Sequence, residues 1–381
     1  MKRKLAVLLS TVLSVGMIFS GCGSQTAASK SSSSAAAESG STAASSTSAA
    51  SSKSSSEAKS TSGDKQLKVA LVVNQPFGDN GPMDGLAAGA QKAADEFGIE
   101  LAKVESDTAT FEDDIRSMCD QGYDLIVTTF GYMQDATVSM AQEYPDTKFC
   151  AVYQDINEGD TKYSNIWDVG FRGQEAFYIA GYMAGLYTKT NKIGIQVGAE
   201  EPTPNAEGNG FMSGVKDANP DAVCEFAYAG GYGDPATAKE KASAMITDGC
   251  DFIQNDSGAS NAGVVEAAKS ANILTAGEIT DFWDTYQGFV GIIDIGFGNV
   301  AYEAMQDLVN DEFKGGEHSD YGLKEGGYVM NWDSYERFAK ENTDFEPVLE
   351  KGKEVEQQIK DGKITVDYNT ETPSWDAIAA K

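Results

Sequence analysis

The 381-residue chain is predicted to fold as an α/β protein of two Rossmann-like lobes with parallel sheets. Three features of the sequence predict it. Apolar, β-branched runs recur without polar alternation, as strands covered on both faces require. Stretches with apolar and small residues at helical spacing separate those runs. The loops after the runs are rich in Gly, Asp and Asn, and in open α/β sheets ligands collect beyond the strands' carboxyl ends.

The run 67–74 (LKVALVVN) reads as the first strand, and 85–97 as a helix after a Gly/Pro/Asp loop. Strands at 100–104, 123–129 and 148–153 then alternate with helices at 111–121 and 135–143. A second series begins near Ile166 with helix 174–187, strand 192–197, helix 208–218 and strand 223–228. Helix 234–247, strand 251–255, helix 262–271, strands 273–278 and 288–294, and helix 298–309 complete it. Two sets of about 100 residues each make two lobes, and facing lobes form a cleft that can close by hinge bending.

Composition narrows the function. Lys+Arg number 29 against 58 Asp+Glu, for a formal net charge of -29, a balance that repels phosphate backbones and argues against nucleic acid as a partner. A single histidine, His318, leaves no multi-His zinc site and little room for a Ser-His-Asp triad. It lies in the polar stretch Gly316-Glu317-His318-Ser319, which reads as an exposed loop. Gly231-Tyr232-Gly233 and Gly296-Phe297-Gly298 lack the third glycine of a dinucleotide fingerprint. The segment from Asp79 ends on Ala90, where an EF-hand needs a bidentate glutamate. No cofactor, no metal and no catalytic residue are expected. Cys119, Cys150, Cys224 and Cys250 form no CxxC pair and read as buried small hydrophobes, with disulfides as the alternative in an exported chain.

The amino terminus reads as an address. Lys2, Arg3 and Lys4 precede a short apolar run that ends in Phe19-Ser20-Gly21-Cys22, too short to span a bilayer readily and shaped like an export signal over 1–21. The small residues before the cysteine resemble the lipobox of bacterial lipoproteins, which implies acylation of Cys22. Residues 22–64 are mostly Ser, Ala, Thr, Gly and Lys, a composition that cannot offset chain entropy by burial. Such a tether of about 40 residues spans on the order of 35 Å.

Several motifs, in order, carry a family resemblance. They are Phe171-Arg172-Gly173-Gln174-Glu175-Ala176 leading into Ile179-Ala180-Gly181-Tyr182-Met183-Ala184-Gly185, and Gly210-Phe211-Met212-Ser213-Gly214 with Asn219-Pro220-Asp221. Gly233-Asp234-Pro235-Ala236 and Tyr321-Gly322-Leu323-Lys324-Glu325-Gly326-Gly327 follow. From about Lys68 to Asn331 the chain resembles the basic membrane protein family of solute-binding lipoproteins, which includes purine nucleoside receptors of ABC transporters. The resemblance implies a type I periplasmic-binding-protein architecture with hinge crossovers and no enzymatic activity. It also implies an ABC permease and ATPase as partners, a small-molecule solute, and attachment to the outer face of the cell membrane through the lipid. By that analogy the lobes are 66–168 plus 291–315 and 169–290 plus 320–345, with 346–381 as a carboxyl-terminal tail.

The same resemblance implies where the solute is held. The loop from Asn74 through Phe77, Asp79 and Asp84 matches a family segment whose aromatic stacks on a base. Pro82-Met83 replace the expected Phe-Asn, so Phe77 is the substitute face, with Asp84 as a helix N-cap the alternative. Tyr132 and Asp135 stand in a turn whose aspartate touches ligand in the family, although here the turn is one residue shorter. Phe211 matches the family's Gly-Phe, with core packing as the alternative, and Asp256-Ser257-Gly258-Ala259 replaces a Gly-rich loop after a second-lobe strand. Glu278 takes the place of an aspartate that holds ribose hydroxyls, and Asp294 replaces a lysine. Asp135, Glu278, Asp281 and Asp294 around one cleft disfavour an anionic solute. Beside them Phe77, Tyr132, Phe282 and Trp283 suit either a nucleoside or a cationic, amine-bearing solute.

Overall fold

The computed structural model describes residues 66–78 and 81–380. The leader 1–21, Cys22, the tether 22–64 and Asp79 lie outside the described residues. The first lobe is laid down as β1 Lys68–Val73, α1 Pro82–Phe97, β2 Glu100–Glu105, α2 Phe111–Asp120, β3 Leu125–Thr129, α3 Gln134–Glu143, β4 Lys148–Val152 and β5 Ile166–Phe171. The second comprises α4 Gln174–Tyr187, β6 Lys192–Val197, α5 Pro202–Ala218, β7 Val223–Tyr228, α6 Pro235–Asp248, β8 Phe252–Asp256, α7 Asn261–Ala271, β9 Leu274–Glu278 and β10 Phe289–Ile295. The chain then returns to the first lobe for α8 Phe297–Asn310 and β11 His318–Tyr321. It ends in the second with β12 Tyr328–Met330, α9 Trp332–Glu341, α10 Glu346–Lys360 and α11 Trp375–Ala379.

The two sheets have matching strand orders, β11-β5-β4-β3-β1-β2 and β12-β10-β9-β8-β6-β7. Strand pairs in both are parallel except β10 with β12. In each sheet the order reverses at one strand, β1 or β6, and such switch points open a crevice at the strands' carboxyl ends. Valines and leucines of β1 and β3 are fully buried, which fits sheets covered on both faces.

Hydrogen bonding places the crossings between lobes later than expected. β5 stays in the first sheet through Phe171, against β4 and β11, so the first crossing is Arg172–Gly173 and not 168–169. The expected boundary followed the family analogy, whereas β5 runs on through the buried Asp168 to Phe171. β10 pairs with β9 and β12 of the second sheet, so the second crossing is Gly296 and not 290–291. The third is 322–327 between β11 and β12. Residues 346–380 are an integral layer of the second lobe: α10 lies on α4 and α11 on α5.

Two helices begin earlier than the sequence suggests, both at proline. Pro82 and Pro202 occupy the first turns of α1 and α5, where a fixed φ and a missing N–H cost nothing. Asp84 therefore lies inside the first turn of α1, behind the cap residue Gly81, and accepts the Gly78 N–H at 2.6 Å. The glycines of the second-lobe motifs are packing devices. A Cβ at Gly181 would overlap the Phe211 carbonyl, and one at Gly214 the Tyr178 carbonyl, so α4 and α5 pack with their backbones close together. The four cysteines are buried and free.

Candidate functional site

The site is built where the two switch points face each other. On the first-lobe side Phe130 follows β3 and Tyr153 follows β4, both with left-handed backbones at φ 64 and 61. Such conformations cost about 1–3 kcal/mol each in residues with side chains, and both rings pack into one aromatic group. Phe130 and Tyr153 meet at 5.4 Å between centroids, and Phe297, at the start of α8, lies 5.5 Å from Phe130 and 5.8 Å from Tyr153. Phe171 closes the group against Phe297 at 4.8 Å and reaches Tyr328 of β12 at 6.1 Å. Tyr132, 53% exposed, stacks on Phe130 at 5.5 Å, and its hydroxyl lies beside the amides of Asn74 and Gln75.

The second lobe supplies acids. Asp256 ends β8, Glu278 ends β9, and Glu207 projects from the second turn of α5; they are 5%, 7% and 1% exposed. Asp256 is hydrogen-bonding neighbour to both Glu207 and Glu278. Glu207 also accepts the Tyr328 hydroxyl at 2.6 Å. Burial, and then the charge of Asp256, pushes Glu207 and Glu278 well above the ordinary glutamate range. Burial pushes the Tyr153 hydroxyl up as well, followed by Glu207, Tyr232, Asp256 and Glu278. A first-lobe hydroxyl thus faces second-lobe carboxyls. Gly173 of the first crossing abuts the trio: a Cβ there would overlap the Glu207 carboxylate and crowd the Tyr328 ring at 2.7 Å. Among the described residues no group of three acid, His or Cys side chains is arranged to hold a metal ion.

The expected residues divide. Asn74, Tyr132 and Glu278 stand at the cleft, and the Asn74 Oδ1 is buried without a partner among the described residues. Asp294, on β10, neighbours Glu278 and accepts Asn331 Nδ2 at 2.9 Å; burial raises its carboxyl. Ser257 is committed locally, its Oγ donating to Asn261 Oδ1 at 2.8 Å. Gly258, at φ 56 and where a Cβ would come within 3.3 Å of the Tyr232 carbonyl oxygen, shapes that turn. Asp135 stands exposed in the first turn of α3, apart from the buried trio.

Three expectations meet corrections. Phe211 is fully buried in the core between α4 and α5, one turn behind Glu207, and packs there. The Phe77 ring turns toward β2, with Lys103 Nζ 5.8 Å from its centroid and its own N–H given to Glu105, so it joins neither Phe130 nor Tyr132. His318 is no exposed loop: it sits in β11 with Nδ1 2.7 Å from Asp168 Oδ2. Asp281 is also paired, with Arg337 at 2.6 Å, whose guanidinium lies over Trp283.

Glu207, Tyr153 and Tyr328 were not singled out from the sequence. Glu207 lies in PTPNAEGNG, which reads as loop until Pro202 is recognised as a helix start. Tyr153 offers no sequence signal for its left-handed turn.

A profile for PnrA-like ABC transporter substrate-binding proteins matches residues 66–370. The chain belongs to this Bmp family. Among its relatives, Basic membrane protein A of Borreliella burgdorferi is 30% identical over 72% of this chain and 82% of its own. The ABC transporter nucleoside-binding protein BmpA of Lactococcus lactis is 27% identical over 81% of this chain and 92% of its own. A crystal structure of an ABC transporter solute-binding protein from Aeropyrum pernix covers 82% of this chain and 96% of its own with TM-score 0.67, at 22% identity. That likeness establishes the type I periplasmic-binding fold of this Bmp-family chain. Its family relatives are substrate-binding proteins rather than enzymes.

Proposed function

We propose that the protein is the lipid-anchored, extracytoplasmic receptor of an ABC importer, and that it holds one nucleoside-like solute between its lobes without transforming it. The observation that carries this is that Tyr153, in ring contact with Phe130 on which Tyr132 stacks, neighbours the second-lobe acids Glu207, Asp256 and Glu278. A flat base suits the aromatic side, and carboxyls that accept hydroxyl donors suit a sugar. The nucleoside-binding name of the Lactococcus relative supports the same class. Asn74 and Asp294 complete the proposed contact set, Cys22 is the proposed acylation site, and a permease with its ATPase receives the solute.

Calorimetric titration of the full chain with inosine, adenosine and guanosine tests the reading. Stoichiometric micromolar or tighter binding is expected, with the nucleoside recovered intact. No binding of any nucleoside, or release of free base, would overturn it. For the anchor, Cys22→Ala is expected to move the protein from the membrane to the soluble fraction.

A further inference from the structure

Three acids elsewhere in the fold that are withdrawn from water are each matched by a cation. Asp168 has His318 at 2.7 Å, Asp281 has Arg337 at 2.6 Å, and Asp307 has Lys314 at 3.4 Å. Glu207, Asp256 and Glu278 are different. The groups that dominate the surroundings of Glu207 and Glu278 are other acids and the Tyr328 hydroxyl, none of them cationic. Asp256, 5% exposed, receives no N–H or hydroxyl donor at its Oδ2 among the described residues, where its neighbours are the carboxyls of Glu207 and Glu278. Like charges sharing a dry site disfavour ionisation, and a buried acceptor without a donor carries a desolvation cost of about 1–3 kcal/mol.

A group that offsets both costs must carry positive charge and N–H donors. An ammonium has three donors in a compact head, one for each carboxyl. A quaternary nitrogen brings charge but leaves the Asp256 oxygen without a donor, and the spacing of the acids does not suit a metal ion. The aromatic wall opposite, Phe130 with Tyr132 stacked on it at 5.5 Å, accepts a ring.

We propose that the solute carries a protonated primary amine seated among Glu207, Asp256 and Glu278, with its ring toward Phe130 and Tyr132. This rests on the reading of the cleft as a solute site and specifies the solute's charge. The solute's class is then an amine-bearing nucleoside or a simpler aromatic amine, and its neutral counterpart binds more weakly because the trio stays uncompensated.

The test is calorimetric titration of the full chain with adenosine, 5′-amino-5′-deoxyadenosine and tyramine. The amino nucleoside is expected to bind at least about tenfold more tightly than adenosine, equivalent to about 1.4 kcal/mol. In Glu207→Gln, which keeps an oxygen for Tyr328, that preference is expected to fall toward unity. Asp256→Asn is the second variant should the first fail to fold. Adenosine binding as tightly as its amino analogue would overturn the ammonium seat while leaving solute capture intact. Tyramine binding with no response to either nucleoside would keep the seat and overturn the nucleoside reading. Silence from all three probes would overturn both.

Discussion

Two acid clusters lie close to the first crossing, and they are built on opposite plans. In one, Asp168 is fully buried and accepts the Ile156 and Asn157 N–H groups at 2.8 and 3.0 Å, with His318 as its third partner. Around it Arg172 bridges Asp155 and Asp320 and lies 4.4 Å from the Tyr368 ring. In the other, Glu207, Asp256 and Glu278 are as deeply buried but lean on one another. The contrast teaches how to read buried acids. A carboxylate whose donors all come from its own chain is scaffolding, here joining β5 to β11 beside the crossing. Carboxyls left to share their charge are held in a costly state that a partner from outside relieves.

Substitutions that break this contrast have effects of opposite sign. The largest is expected for Asp168→Asn, which sets an amide against two backbone donors and removes the charge facing His318. Breaking a buried pair of this kind costs about 3–5 kcal/mol, readable as a lower denaturation midpoint with unchanged slope. Next is Glu207→Gln. The raised carboxyl of Glu207 means that the folded state holds a proton the unfolded chain releases near 4.5. Ligand-free stability therefore falls as pH climbs from about 4.5 toward the raised value. Glu207→Gln is expected to flatten that decline and to be more stable than wild type at neutral pH.

His318 sharpens the comparison from the compensated side. Its hydrogen bond to Asp168 leads the causes that raise it above 6.5. The stability it contributes is thus complete below 6.5 and is lost as pH rises through its raised value. A His318→Gln variant is expected to lack this alkaline loss in denaturation curves taken across that range. The smallest stability effect belongs to Tyr132→Ala. An exposed ring stacked on Phe130 changes stability by less than about 0.5 kcal/mol, yet calorimetry is expected to show nucleoside affinity reduced severalfold.

The sheets were legible in the sequence because β1 and β3 are nearly unbroken apolar or β-branched runs, and Glu278 was legible because the family resemblance places a carboxylate there. The end of β5 was misplaced because the expected boundary followed the family analogy, and His318, the partner of its Asp168, is distant in sequence. Glu207 was hidden because proline, asparagine and glycine usually mark loops, whereas here proline opens α5 and glycines let it lie against α4. Phe211 shows the converse. Its motif is shared with the family, but close backbone contact between helices explains it without a ligand.

The most direct test places Glu207→Gln and Asp168→Asn beside wild type in thermal unfolding at neutral pH, each as the full chain stripped of bound solute. The account predicts a higher midpoint for Glu207→Gln and a lower one for Asp168→Asn. A fall in both would contradict it, because the cleft acids would then be scaffolding of the same kind.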